Sequence, residues 1–451
     1  MSRRLDLIVK GGICLTPSGR ERLDIGVMEG RIVELGDLSG RAAPHVFNAG
    51  GLHVLPGVID SQVHFREPGF PHKEDIESGS RAAVLGGVTT FFDMPNTQPL
   101  TIDEAALRDK LRRAQGRSWC NYAFYIGGCA DNADHLAYLE RLPGCAGIKI
   151  FMGSSTGDLL AADDETLRRI LRSGRRRVTV HAEDESRLQE RKQIVLASKD
   201  VRDHSAWRDV TTALQATQRI LRLAQEVGRL LHILHISTAE EMELLAQWRH
   251  LATAEVLPQH LTLHAPECYE VLGTLAQMNP PIREIAHQQA LWRAVAEGIV
   301  DTIGSDHAPH TREEKRQPYP SSPSGMPGVQ TLLPLLLNHH VNGKLSLERL
   351  VDLTSAGPAR VFGVSRKGRI AVGYDADFSV VDLKEKRALH HEDMASQSGW
   401  TPFDGYEVTG WPKATIVCGS IVMQDDEVAD IPAGRPVSFV GNPAVGEVRH
   451  D

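Results

Sequence analysis

The chain has 451 residues, 41% hydrophobic and 24% charged, with 50 Lys and Arg against 58 Asp and Glu for a formal net charge of −8. That apolar content supports a large core and excludes disorder as the main state. The mildly acidic balance argues against nucleic acid or an anionic membrane as partner, and no run approaches the ~18 apolar residues of a membrane span.

The first fifty residues read as short strands, at Leu7–Val9, Asp24–Val27 and Arg31–Leu35, divided by glycine-rich turns such as Glu29-Gly30. The apolar run near the start is too short for a signal peptide. From Val58 onward the pattern alternates. Strand-length apolar runs occur at Val58–His64, Thr89–Pro95, Tyr122–Gly127, Gly147–Met152, Val178–Ala182, Leu231–Ile236, Thr253–Val256 and Thr302–Ser305. Segments of helical period separate them, among them Asp103–Ala114, Asp164–Ser173, Thr211–Val227, Ala239–Trp248 and Ile285–Glu297. Eight such units predict an α/β fold, a closed (β/α)₈ TIM-like barrel over residues 55–364. An open doubly wound sheet is the competing arrangement, but it would gather its polar strand ends at one switch point. Here they recur along the whole alternating region, from Gln62 to Asp306. Gly304–Gly328 is rich in Pro, Ser and Gly and is expected as a loop over the active face. Strands return at Asp377–Asp382 and Ala414–Ser420, so residues 1–54 plus 365–451 are expected to form one small β-sandwich domain from both chain ends.

Six cysteines, Cys14, Cys120, Cys129, Cys145, Cys268 and Cys418, form no C-x-x-C pair and fit reduced thiols in a cytoplasmic protein. The high count is 20 histidines, and position must sort them. Gln62 and His64 lie two apart on the first barrel strand, which points both towards the axis. Lys149 sits among apolar residues of the fourth strand, where a charged amine is costly unless paired or neutralised. His181, His235 and Asp306 end the fifth, sixth and eighth strands. A lone buried histidine is more often a core residue, and a lone Asp after a strand is often a helix cap. Their joint placement at one barrel mouth composes a metal site, and imidazole with carboxylate favours zinc over calcium or magnesium. His232, three residues before His235, is expected on the other strand face as a structural residue. Gly86–Thr90 lacks the Lys-Ser/Thr of a phosphate loop and reads as a tight helix-to-strand turn. The basic run Arg172–Arg177 reads as a solvated helix end.

The segments Asp60–Gly69 (Asp-Ser-Gln-Val-His-Phe-Arg-Glu-Pro-Gly), Asp93–Thr97, Lys149–Gly157, His235–Thr238, Asn279–Pro281 and Ser305–His310 resemble dihydroorotase, of the cyclic amidohydrolase branch of the amidohydrolase superfamily. The resemblance runs to about Gly419. It implies reversible zinc-dependent hydrolysis of (S)-dihydroorotate to N-carbamoyl-L-aspartate, a step of pyrimidine biosynthesis, with one or two Zn2+ per subunit. It also implies that Lys149 carries CO2 as a carbamate, turning a buried cation into a bridging anionic ligand. One metal would be held by the first-strand motif, the carbamate and Asp306, the other by the carbamate, His181 and His235. Gln62 departs from the superfamily's H-x-H pair, and an amide oxygen is a weaker ligand than imidazole. Asp306 is implied as the base that takes a proton from the attacking water and returns it to the leaving nitrogen. Arg66 suits a bidentate grip on the substrate carboxylate, and a surface pair with Glu67 is its ordinary alternative. Asn96 and His310 match the family's other carboxylate-binding residues, and Asn279 matches a position near the ring. Trp400–Gly405 also resembles a dihydroorotase segment and is read as packing between the two domains.

Hydantoinases, dihydropyrimidinases and allantoinases would share Lys149, His181, His235 and Asp306 without needing the carboxylate grip. A catalytically silent homologue serving as a partner of aspartate transcarbamoylase finds support only in Gln62. The family also suggests a homodimer, and possible association with a transcarbamoylase.

Overall fold

Eight strands lie side by side in chain order in one parallel sheet: Val58–Val63, Val88–Asp93, Asn121–Gly127, Cys145–Phe151, Val178–His181, Leu231–Ile233, Ala252–Val256 and Val300–Ile303. The sheet curls until its edges meet. The His64 amide donates to the His307 carbonyl at 2.7 Å, and the Ser305 amide donates to Asp60 Oδ1 at 3.0 Å. The protein is therefore a nearly closed barrel in this computed structural model, which describes residues 4–154 and 159–441. Residues 1–3 of the amino-terminal segment, 155–157 of the Lys149–Gly157 motif and 442–451 of the expected composite domain lie outside the described residues.

The strands are buried almost throughout, because helices cover the outside and side chains fill the inside. Local chemistry starts those helices where the sequence needs them. Asp75, Asp103, Asp163, Asp184 and Asp209 each accept a hydrogen bond from the backbone amide three residues on. Such N-caps are worth about 1 kcal/mol each. Gly86 and Gly87 make the turn from the helix Ile76–Leu85 into the second strand. A Cβ on Gly86 would meet the Gln330 backbone at 2.5 Å, so the close approach requires glycine.

A second, mixed sheet is built from both chain ends. Leu7–Thr16, Gly19–Met28, Arg31–Gly36, His45–Asn48 and His53–Pro56 come from one end. Phe378–Ala388, Glu407–Val417, Ser420–Gln424 and Glu427–Val428 come from the other. His53–Pro56 joins them, parallel to the first strand of the chain and antiparallel to Phe378–Ala388. One apolar cluster serves both halves, with Val9, Ile25 and Ile32 beside Phe378, Val380 and Ile416. This sheet meets the start of the barrel strands. The Gly57 amide donates to the Asp377 carbonyl at 2.8 Å, and Ser379 Oγ donates to the Gly87 carbonyl at 2.6 Å.

Two expectations change here. Arg176 and Arg177 are not simply a solvated helix end. The Arg176 guanidinium donates to the carbonyls of Glu140, Cys145 and Ala146 at 2.8 Å each, and Arg177 donates to the Leu231 carbonyl at 2.6 Å. They satisfy orphan carbonyls at the strand entrances, and only Arg172 and Arg175 of the run are exposed. His232 is structural, but not for the expected reason. It meets Thr253 Oγ1 at 2.8 Å and Thr302 Oγ1 at 3.2 Å on the two following strands, so it lies inside the barrel. The strand ends at Ile233 and His235 has φ 38°, so simple alternation does not extend between the two histidines.

Candidate active site

At the C-terminal ends of the barrel strands one pocket is lined by Gln62, His64, Arg66, Asn96, Lys149, Phe151, His181, His235, Asn279, Asp306, Ala308, Ser324 and Gly325. Nine of the ten residues singled out in the sequence are therefore lining residues, and the tenth, His310, stands behind Arg66. Three of them occupy left-handed backbone: Arg66 (φ 60°), His235 (φ 38°) and Asp306 (φ 43°). Such conformations are strained for residues with a Cβ and concentrate where a side chain must be aimed.

His64 directs Nδ1 to Asn96 Oδ1 at 2.8 Å, which leaves Nε2 facing Asp306 Oδ1 at 3.3 Å. His181 directs Nε2 to Glu183 Oε2 at 2.8 Å and turns Nδ1 towards His235 Nε2 at 2.9 Å. Glu183 is held in turn by Arg208 at 2.6 Å. A histidine braced by a carboxylate on one nitrogen, with the other aimed into a pocket, is the arrangement of a metal ligand and its outer support. Burial pushes the His64, His181 and His235 rings below the ordinary imidazole range, which favours the neutral form that can bind a cation. Burial alone would raise the Asp306 carboxyl, but the His64, His235 and His181 rings around it, whenever they carry a second proton, bring it down to about 2.

Lys149 is 1% exposed, and burial drives its amine well below the usual lysine range. Its Nζ lies 4.1 Å from the Phe151 ring centroid and 3.2 Å from the Ile150 carbonyl. Gln62 Oε1 is buried and has no hydrogen-bond partner among the described residues. The donor set therefore fits a bound cation: converging neutral imidazoles, an ionised carboxylate, an orphan amide oxygen and an uncharged amine. His390, Glu392 and Asp404 also gather closely, but all three are exposed and far from this constellation in kind. A larger cleft beside the terminal sheet, lined by Arg31, Arg141 and Arg435 among others, contains none of the sequence-predicted residues.

The other side of the pocket is cationic. Arg66 is 4% exposed, and burial lowers its guanidinium to about 10. Its Nε donates to the Pro309 carbonyl at 3.2 Å, and Nη2 lies 3.3 Å from His310 Nε2. No carboxylate within ion-pair distance of Arg66 is found among the described residues. Glu67 pairs instead with Arg117 at 2.9 Å and Arg113 at 3.4 Å, which removes the surface-pair alternative. Asn279 Oδ1 meets His204 Nε2 at 3.0 Å. The long loop after the last strand contributes Ala308, Ser324 and Gly325. Gly325 has φ 131°, and a Cβ there would meet the Ala308 carbonyl at 2.5 Å. Lys315 ties the loop to itself and its neighbour, donating to the carbonyls of Gln277, Pro323 and Gly325 at 3.0, 2.9 and 2.9 Å. Trp400, fully buried, donates its indole N–H to the His310 carbonyl at 2.7 Å. It packs with Leu257, Tyr269, Met278 and Met326, so it braces this face of the barrel.

Sequence reasoning missed Glu183, Arg208, Phe151 and the partnership of Asn96 with His64. Glu183 carried a readable signal: it follows His181 by two residues, the spacing that keeps two side chains on one face of an extended segment.

Residues 53–422 match the amidohydrolase family. The chain is 41% identical over 382 residues to a protein named dihydroorotase from Halobacterium salinarum, covering 83% of this chain and 87% of the relative. It is 35% identical over 443 residues to a protein named allantoinase from Deinococcus radiodurans, covering 96% and 98%. The solved L-hydantoinase (dihydropyrimidinase) of Arthrobacter aurescens superposes with a TM-score of 0.91 at 32% identity, covering 96% of this chain and 100% of that one. With this fold, this pocket and these relatives, the chain belongs to the amidohydrolase family, within its cyclic amidohydrolases, as a metal-dependent hydrolase.

Proposed function

We propose that the protein is a dihydroorotase, opening (S)-dihydroorotate to N-carbamoyl-L-aspartate and closing it in the biosynthetic direction. The observation that carries this reading is Arg66: a buried guanidinium in the pocket wall with no carboxylate partner among the described residues. A buried unpaired cation is costly, and a substrate carboxylate would relieve that cost by a charge-assisted pair. Hydantoin, dihydrouracil and allantoin carry no carboxylate for it. The relative named dihydroorotase is also more identical to this chain than those named allantoinase or hydantoinase.

Metal would be held by His64, Lys149 as its carbamate, His181, His235 and Asp306, with Gln62 as the weakest donor. Lys149 suits carbamate formation because burial favours its free amine, the form that adds to CO2. When bound, zinc supplies a water acidified to a pKa of about 7 and polarises a carbonyl. Asn96 and Glu183 hold His64 and His181 with one nitrogen free for ligation. Arg66 orients the substrate by its carboxylate. As water adds to the ring amide carbonyl, Asp306 takes its proton and delivers it to the ring nitrogen as the C–N bond breaks. The low pKa of Asp306 keeps it ionised and ready as a base at neutral pH.

The test is kcat/KM on dihydroorotate, dihydrouracil, hydantoin and allantoin with zinc and bicarbonate present. Preference for dihydroorotate is expected. Hydantoin or allantoin turnover without dihydroorotate turnover would overturn the assignment.

A further inference from the structure

His310 has more neighbours than one ring can satisfy in a single protonation state. Its Nε2 lies 3.1 Å from the Ser324 carbonyl and 3.3 Å from Arg66 Nη2. Its Nδ1 lies 3.2 Å from Lys73 Nζ and 3.7 Å from Glu314 Oε2. Lys73 in turn pairs with Glu314 at 3.1 Å. Burial first, then Arg66, Lys73 and Lys315, lower the ring to about 3 against the opposing pull of Glu314, so one nitrogen carries the hydrogen and the other accepts.

Two patterns are self-consistent. In the first, the Lys73 ammonium donates to Nδ1, and the Nε2 hydrogen goes to the Ser324 carbonyl. In the second, the hydrogen is on Nδ1 facing Glu314, and Nε2 accepts from Arg66. An ammonium can only donate, and it is the nearer group to Nδ1. Both contacts of the first pattern fall within 3.2 Å, whereas the second relies on 3.7 Å. The consequence reaches the substrate side. In the first pattern the Arg66 Nη2 hydrogen directed towards His310 finds no acceptor there and is left for a substrate group.

We propose that Lys73 is a positioning residue for anion recognition: by donating to His310 Nδ1 it fixes the Nε2–H form of the ring and leaves the Arg66 Nη2 hydrogens to a substrate carboxylate. Without Lys73, Glu314 draws the hydrogen to Nδ1 and His310 takes a hydrogen bond from Arg66. The carboxylate half of this inference rests on the dihydroorotase reading; the ring form does not. Trp400 supports the same residue through its backbone by binding the His310 carbonyl, and so holds the ring between its neighbours.

The test combines Lys73→Met and Lys73→Arg in the full-length, metal-loaded protein. Imidazole 15N spectra, with the His310 signals assigned by difference from His310→Gln, report which nitrogen bears hydrogen. The wild type and Lys73→Arg are expected in the Nε2–H form and Lys73→Met in the Nδ1–H form. KM for dihydroorotate should rise about tenfold in Lys73→Met, the scale of one charge-assisted hydrogen bond, with kcat within about twofold and recovery in Lys73→Arg. Thermal melting checks that each variant is folded. An unchanged ring in a folded Lys73→Met overturns the role of Lys73, whatever the substrate. A flipped ring with unchanged KM overturns the link to the carboxylate. A wild type that ignores dihydroorotate overturns the substrate reading while the ring measurement still stands.

Discussion

The two walls of the pocket are built by different means. The wall that would hold metal, a ligand wall with Lys149, His181, His235 and Asp306, stands on or just beyond barrel strands, and Glu183 braces His181 there. The cationic wall, with Arg66, His310, Ser324 and Gly325, stands on loops after the first and last strands. Loops lack a repeating ladder, so this wall is held by individual bonds: Lys315 to three carbonyls and Trp400 to one. The lesson is a division of labour. On the proposed reading the rigid sheet would hold the chemistry shared by cyclic amidohydrolases, and the loops would hold the group that chooses among substrates.

Substitutions can break or sharpen that division. Lys149→Ala should have the largest effect, taking turnover below detection together with most bound metal; retention of metal, read by elemental analysis, would remove Lys149 from the ligand wall. Asp306→Asn should lower kcat by roughly 10²–10⁴, the range of a general acid–base group, while much of the metal stays. Near-normal turnover would deny it the proton transfer.

Arg66→Ala should raise KM for dihydroorotate by about 10–100-fold, from a charge-assisted bond of about 1.5–3 kcal/mol, with metal content unchanged. Equal loss on a carboxylate-free substrate such as dihydrouracil would show that the two walls are not separable. Glu183→Gln should weaken metal affinity by about tenfold or more through His181; titration with a competing chelator reads it. Arg176→Met should leave KM and kcat within about twofold and lower the melting temperature, because three buried carbonyls lose a donor at a cost of about 1–3 kcal/mol. A change in KM there would mean that the strand entrances communicate with the pocket.

The same contrast explains what could be read in advance. The barrel was legible because eight apolar runs repeat with helical segments between them. The terminal sheet was legible from strand patterns at both ends. Lys149, His181, His235 and Asp306 stood out because each interrupts or closes such a run. His232 marks where this logic stops: period-two reasoning needs a continuous strand, and the backbone turns before His235.

The order of strands, the ligand types and a buried lysine follow from residue chemistry and spacing, since burial and hydrogen-bond periodicity act locally along the chain. Which nitrogen of each histidine faces the pocket, that Glu67 turns to Arg113 and Arg117 rather than to Arg66, and that Lys73 reaches His310 were decided by tertiary structure alone. Those contacts join residues up to hundreds of positions apart, and only the closed barrel brings their loops within hydrogen-bonding distance.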